Sequence, residues 1–327
     1  MKKQAIFISK NFIRMLILLF FVSIAAFALV SMAPLDPLQT NVGQAAMGSM
    51  SPEQIERLRL YWGEGIPPLK RYLAWAGDFI RGNMGISLLY HQPVAKVIQV
   101  RFASSVWLMA AAWILSGVTG VILGMTAGAR KGSLTDRVIS AYALVTASTP
   151  AFWVALVLLM VFAVWLKVLP VGLSVPIGAD AATVSIADRI RHGILPAAAL
   201  SLTGISNITL HTREKMIQVM ESDYVLFART RGESMSSIVL RHGLRNMILP
   251  ALTLQFASIS EIFGSVLVEQ VFSYPGLGQA AVSAGLGSDI PLLMGITMIS
   301  AAMVFAGNFI ADILYEIIDP RMRRGAK

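Results

Sequence analysis

Apolar runs long enough to cross a membrane alternate with short polar segments along most of this chain. A bilayer's hydrocarbon core needs about 20 apolar residues in helical form. Six runs suit that length. The first is Met15 to Ala33, "MLILLFFVSIAAFALVSMA", and the others are roughly Ser104 to Ala129, Val138 to Leu166, Ile194 to Thr212, Ile248 to Val271 and Ile290 to Ile317. The third is interrupted by "STPAF", where Pro150 predicts a kink or a separate approach helix. The first exceeds the apolar core of a cleaved signal, about 7–15 residues, and reads as a retained span.

The polar stretches carry their own patterns. Residues 34–103 are the largest, and "SPEQIERLRLYWG" opens a helix there with Ser51 as N-cap, Pro52 at the first helical position and Gln54 completing a capping box. Ile55, Leu58 and Trp62 fall on one face. A second helix follows from Pro68 to Ile80, with Leu69, Tyr72, Leu73 and Trp75 available for packing. This segment is either a docking surface for an external partner or a cap over the ends of the spans. Residues 168–193 read as irregular, and "ARKGSLTDR" is a tight basic turn without the spacing that cradles phosphates.

Composition supports a membrane protein: 56% hydrophobic, 14% charged, mean hydropathy +0.68. A net charge of +9 would suggest nucleic acid in a soluble domain, but here its distribution matters more. With the N-terminus inside, 17 of the 27 Lys and Arg residues lie in cytoplasmic segments, which favours N-in and C-in. No nucleic-acid partner is expected. The chain has no cysteine, and its four histidines form no metal-ligand spacing.

The most patterned polar stretch is "DYVLFARTRGESMSSIVLRHGLRNMILP", 223–250, between the fourth and fifth runs. Glu221 to Arg231 predicts a short helix with Tyr224, Phe227 and Ala228 on one face and Arg229 and Arg231 elsewhere. Gly232 ends it as a C′ residue in the left-handed region. Ser234, Ser236 or Ser237 caps a second helix running to Asn246, with an apolar line of Leu240, Leu244 and Ile248, and Pro250 tolerates the entry into the next span. Two such helices make a rigid knob suited to mechanical coupling with another protein, or an amphipathic pair resting on anionic lipid. Within the fifth run, Glu261 lies 11 residues from Pro250, roughly 16 Å along a helix. It and Glu269 are candidate pathway residues or buried structural hydrogen-bond partners. "SYPGLGQ", with Tyr274, Pro275 and Gly276, predicts a constrained outer turn or gate, its backbone fixed by Pro275, Gly276 and Gly278.

The 223–250 stretch resembles the EAA loop of ABC-transporter importer permeases, in the form of the dipeptide, oligopeptide and nickel permease family. Asp223, Tyr224, Val225, Ala228, Arg229, Gly232, Arg241, His242, Leu244, Arg245, Asn246, Leu249 and Pro250 all match that form. Arg231 stands where a lysine is expected. Four further stretches are similar in order: "APLDP", with Leu35 in place of a glycine; "GNMGISLLYHQPV", with Asn83 in place of an aspartate; "STPAFWVAL"; and "VEQVFSYPGLGQ". The end, "DILYEIIDPRMRR", is similar as well.

The resemblance implies an all-α polytopic protein of six transmembrane helices, N-in and C-in, in the bacterial cytoplasmic or inner membrane. Residues 1–33 would be the cytoplasmic N-terminus and first span, 34–103 an extracytoplasmic helical segment, 104–318 a five-helix permease core, and 319–327 a basic tail. Residues 213–247 would form the coupling loop, with Glu221, Asp223, Tyr224, Ala228, Arg229, Arg231 and Gly232 meeting an ATPase subunit and Arg245 buttressing them. Implied partners are a homologous second permease, two ATP-binding subunits and an extracytoplasmic solute-binding protein. ATP and Mg would bind in the ATPase partners, so this chain needs no cofactor, metal or catalytic residue of its own. The implied cargo is peptide, with nickel or a metal–chelator complex as the alternative. A self-sufficient secondary transporter is the distant rival, and it would require inverted repeats that the sequence lacks.

Overall fold

A computed structural model of the chain describes residues 2–32, 50–61, 65–174, 184–257 and 266–318. "APLDP", Trp62, residues 175–183, Glu261 and the tail 319–327 lie outside them. The described residues are helical, with one isolated bridge, Ile86 to Pro93. Among the described residues four helices are each long and apolar enough to cross a membrane: Ser9–Met32, Val94–Ala129, Ile186–Met220 and Ile290–Ile310. The pair Leu134–Ala147 and Ala151–Trp165 is long and apolar enough only when taken together, and it turns through 106° at the predicted Pro150 break, the shape of a broken span or a re-entrant loop.

The chain divides into two compact units, 1–105 with 276–305, and 106–275 with 306–327. In the first, α1 (Lys2–Met32) is followed by α2 (Pro52–Tyr61), α3 (Pro68–Ile80) and the start of α4 (Val94–Ala129). The capping box of α2 forms as expected: Gln54 N–H donates to Ser51 Oγ, and Ser51 N–H to Gln54 Oε1. The bounds of α3 are those predicted. Tyr72 and Trp75 dock edge-on and tilted against Phe27 of α1, while Leu69 and Leu73 stay exposed.

Residues 83–93 then form a clasp around buried Asp289, the residue before α13 (Ile290–Ile318). Its carboxylate accepts from the Ser87 hydroxyl, Leu89 N–H and Leu292 N–H. Asn83 supplies the turn acceptor expected of an aspartate, taking a hydrogen bond from Gly85 N–H at 3.1 Å. Val94, Val97 and Ile98 of α4 pack with Leu277, Ala280 and Ala284 of α12 (Leu277–Leu286) and with Leu292 and Ile296 of α13.

The second unit holds the rest of α4, then α5 (Leu134–Ala147), α6 (Ala151–Leu158) with a π turn at Leu159–Trp165, and α7 (Ile186–Met220). Helix α8 (Asp223–Thr230), α9 (Met235–Ile238), α10 (Leu244–Ala257) and α11 (Val266–Val271) complete it. Three expectations change here. Helix α4 begins at Val94 rather than Ser104, because capping and packing extend a helix past its apolar run. Helix α7 runs from Ile186, so 186–193 is helix rather than loop; Ser185 caps it by accepting from Asp188 N–H. The second arm, expected to end at Asn246, and the span expected from Ile248 are continuous in α10, with Pro250 inside the helix.

Glycines set the central packing. A Cβ on Gly120, Gly124 or Gly128 of α4 would lie 2.6–2.8 Å from atoms of α7. The small residues let the two helices touch at backbone distance.

Candidate coupling site

The predicted knob is a compact elbow on the end of α7. Helix α8 ends in a Schellman motif: Glu233 N–H reaches Ala228 O at 3.1 Å and Gly232 N–H reaches Arg229 O at 3.0 Å. Gly232 has φ +77°, and nothing lies within 4 Å of where its Cβ would be. The glycine is therefore needed for its conformation and not for space. Ser234 is the residue that caps the second arm, accepting from Ser237 N–H at 3.3 Å. That arm runs through α9 and a π turn, Val239–Gly243, directly into α10.

Val219, Val225, Ala228 and Ile238 form the buried centre of the elbow. Ala228 is thus inside, under α8, and does not share an outward face with Tyr224 and Phe227. The outward surface consists of Tyr224, Leu226 and Phe227, the last 72% exposed, with Asp223, Arg229 and Arg231 also exposed around them. Behind Tyr224 the structure places Asn246, whose Nδ2 donates to the Tyr224 hydroxyl at 3.3 Å and to His242 O at 2.8 Å. The His242 ring lies 6.0 Å from that of Tyr224, and its Nε2 is 3.5 Å from a Glu233 carboxylate oxygen. Arg245, expected to buttress the elbow, is solvent-exposed; Asn246 and His242 hold that place.

The stem is anchored twice. Arg213 of α7 makes a two-pronged bond to buried Asp136 at the start of α5, with Nη2 to Oδ2 at 2.9 Å. Gly132 N–H and the Ser140 hydroxyl complete the carboxylate's partners. Glu221, a predicted contact residue, pairs with Lys131 at 2.7 Å, both more than half exposed. Beneath the elbow Met125, Met216 and Met247 form a buried thioether cluster, a packing surface that tolerates rearrangement. Sequence reasoning did not find the Asp136–Arg213 pair, whose members are 77 positions apart. The small-residue spacing Gly120, Gly124, Gly128 was a usable signal for the packing above the elbow.

Of the candidate gate residues described, Glu269, Tyr274 and Gly276 are buried and Pro275 is half-buried. Glu269 is on α11 and Tyr274 joins a cluster with Leu108, Leu195 and Phe272. Burial pushes the Tyr274 hydroxyl pKa up, the Glu269 carboxylate adds to the rise and the Arg189 guanidinium opposes it. The irregular backbone predicted for Pro275, Gly276 and Gly278 shifts: Gly276 is extended, Gly278 lies within α12, and the left-handed residue is Ser273 at φ +47°. Gly172 packs where a Cβ would come 2.2 Å from Phe272 O, and Leu173 N–H donates to that same oxygen at 2.8 Å. Among the described residues no cluster of His, Asp or Glu is arranged to hold a metal ion.

Residues 120–324, including the whole elbow, match the family described as binding-protein-dependent transport system inner membrane component. The chain belongs to this family. It is 34% identical over 303 residues to the oligopeptide transport system permease protein AppB of Bacillus subtilis, covering 92% of this chain and 94% of that protein. It is 32% identical over 321 residues to the di/tripeptide transport system permease protein DppB of Pseudomonas aeruginosa, covering 93% and 94%. The protein is a multi-pass inner-membrane permease of the ABC-importer class.

Proposed function

We propose that this permease forms half of the translocation pathway of an ATP-driven importer for peptides. It pairs with a homologous permease, receives cargo from an extracytoplasmic solute-binding protein, and crosses the membrane six times with both ends inside. The elbow docks into an ATP-binding subunit through Tyr224, Leu226 and Phe227, with Asp223, Arg229 and Arg231 at the rim and Glu221 at the stem. Ala228 and Gly232 act from beneath by fixing the shape of that surface. Closure of the ATP-binding subunits moves the elbows, and the pinned stem passes the motion into α4, α5 and α7. Coupling of this kind requires contacts that differ between two global states. Glu269 and Tyr274, with Pro275 and Gly276, belong to the outer gate region, and Glu261 remains a candidate for the pathway itself.

The single observation that carries this reading is the elbow: apolar side chains turned outward on a glycine-closed helix, in a chain whose relatives are named as peptide permeases. The test is peptide uptake into proteoliposomes holding the assembled transporter. Gly232→Val places a branched side chain at φ +77° and reshapes the elbow. The variant should insert and assemble, yet lose ATP-dependent uptake. Normal uptake by that variant would sink the coupling assignment.

A further inference from the structure

We propose that α3 is an interfacial membrane helix whose exposed aliphatic face lies in the lipid of the leaflet reached by the C-terminal end of α1. The proposed topology makes this the outer leaflet. The helix has three faces at 100° per residue. Tyr72, Trp75 and Phe79 form an aromatic face, and Tyr72 and Trp75 pack on Phe27 of α1. Ile66, just before the helix, with Leu69, Leu73 and Ile80 forms a second, aliphatic face, continuous with the first. Lys70, Arg71, Asp78 and Arg81 occupy the remaining arc.

The aromatic face has its partner within the protein. The aliphatic face has none among the described residues: Leu69 is 68% exposed, Leu73 60% and Ile80 86%. Its depth follows from the contacts with α1. The Tyr72 hydroxyl is 2.8 Å from Ser23 Oγ. Ser23 lies nine residues before the end of the Ser9–Met32 span, roughly 14 Å along the helix. Helix α3 is therefore fixed beside a lipid-facing span inside the membrane's thickness, and α1 itself exposes Leu29 and Met32 at that end.

Water is the wrong solvent for the aliphatic face at this level, and lipid is continuous with it. The polar arc carries three basic residues to one acidic residue, the balance that anionic headgroups attract. Pro67 and Pro68 start the helix sharply and Gly82, at φ +83°, ends it, so the element is sized to its apolar face. In this arrangement α3 sets the depth and tilt of α1.

The absence of cysteine makes the test direct. Leu69→Cys, Leu73→Cys and Asp78→Cys each receive one nitroxide label in the full chain, assembled with its partner subunits in vesicles of phosphatidylethanolamine and phosphatidylglycerol. Collisions with oxygen, which concentrates in lipid, are compared with collisions with a water-soluble nickel chelate. Labels at 69 and 73 should show an oxygen-to-nickel ratio several times that of the label at 78. Equal ratios at all three positions would place the aliphatic face in water and overturn the proposal. So would protection at 69 and 73 that develops only when an external binding protein is added, since the face would then be a protein-docking surface. Protection of both labels from both reagents without added protein would mean a contact within the transporter, and would overturn it too. This outcome is independent of whether the elbow couples to ATP hydrolysis.

Discussion

Helices α3 and α8 are built alike and placed differently. Each is short, each packs one face on the rest of the protein, half-buried in α3 and fully buried in α8, and each ends in a Schellman motif on a left-handed glycine. In α3 the closing bonds are Asn83 N–H to Asp78 O and Gly82 N–H to Phe79 O; in α8 they are Glu233 N–H to Ala228 O and Gly232 N–H to Arg229 O. Their exposed surfaces separate them. Helix α3 presents a stripe of aliphatic residues beside a membrane span. Helix α8 presents Tyr224, Leu226 and Phe227 among charges, on a stem fixed by an ion pair and backed by methionines. The first surface has no shape to match and suits lipid. The second has a defined shape and suits a protein partner.

The largest expected effect falls on the stem, which α3 lacks. Asp136→Ala leaves Arg213 without its carboxylate and Gly132 N–H without its acceptor. It should lower unfolding stability in detergent by about 2–3 kcal/mol, less than for a fully buried pair because Arg213 is a quarter exposed, as read by thermal unfolding. The closing glycines come next. Gly82→Ala and Gly232→Ala each force a left-handed alanine with nothing near its Cβ, and each should cost about 1–2 kcal/mol. Similar stability losses paired with different uptake losses, severe for Gly232 and mild for Gly82, would sharpen the contrast; equal uptake losses would break it. Ser23→Ala removes the hydrogen bond that ties Tyr72 of α3 to α1, and about 1 kcal/mol is expected. Lys131→Ala opens an exposed pair and should cost under about 1 kcal/mol, with the difference fading as salt rises.

Local chemistry was legible in the sequence. Gly232 as a C′ residue, the Ser51 capping box, the bounds of α3 and the break at Pro150 each depend on neighbours within a few positions. What was not legible depends on distant partners. Tyr224, Phe227 and Ala228 fit one helical face on a wheel, but Val219 and Ile238 draw Ala228 inward and leave the two aromatics outside. Arg245 was named for the buttress from the motif, whereas the fold sets the Asn246 amide against the Tyr224 hydroxyl. Glu269 and Tyr274 carry the same ambiguity: Tyr274 is buried in a cluster with Leu108, Ala155 and Leu195, all far from it in sequence.

The central claim is that α8 meets an ATP-binding subunit. The most direct measurement places a photo-crosslinking amino acid at Phe227 in the full transporter, with a second probe at the equally exposed Trp165, in the apolar α6 segment, as control. The account predicts a covalent adduct between position 227 and an ATP-binding subunit, changing in yield when ATP is added, and lipid adducts alone from position 165. Lipid adducts from both positions would contradict it, and the elbow would then be a membrane-surface anchor.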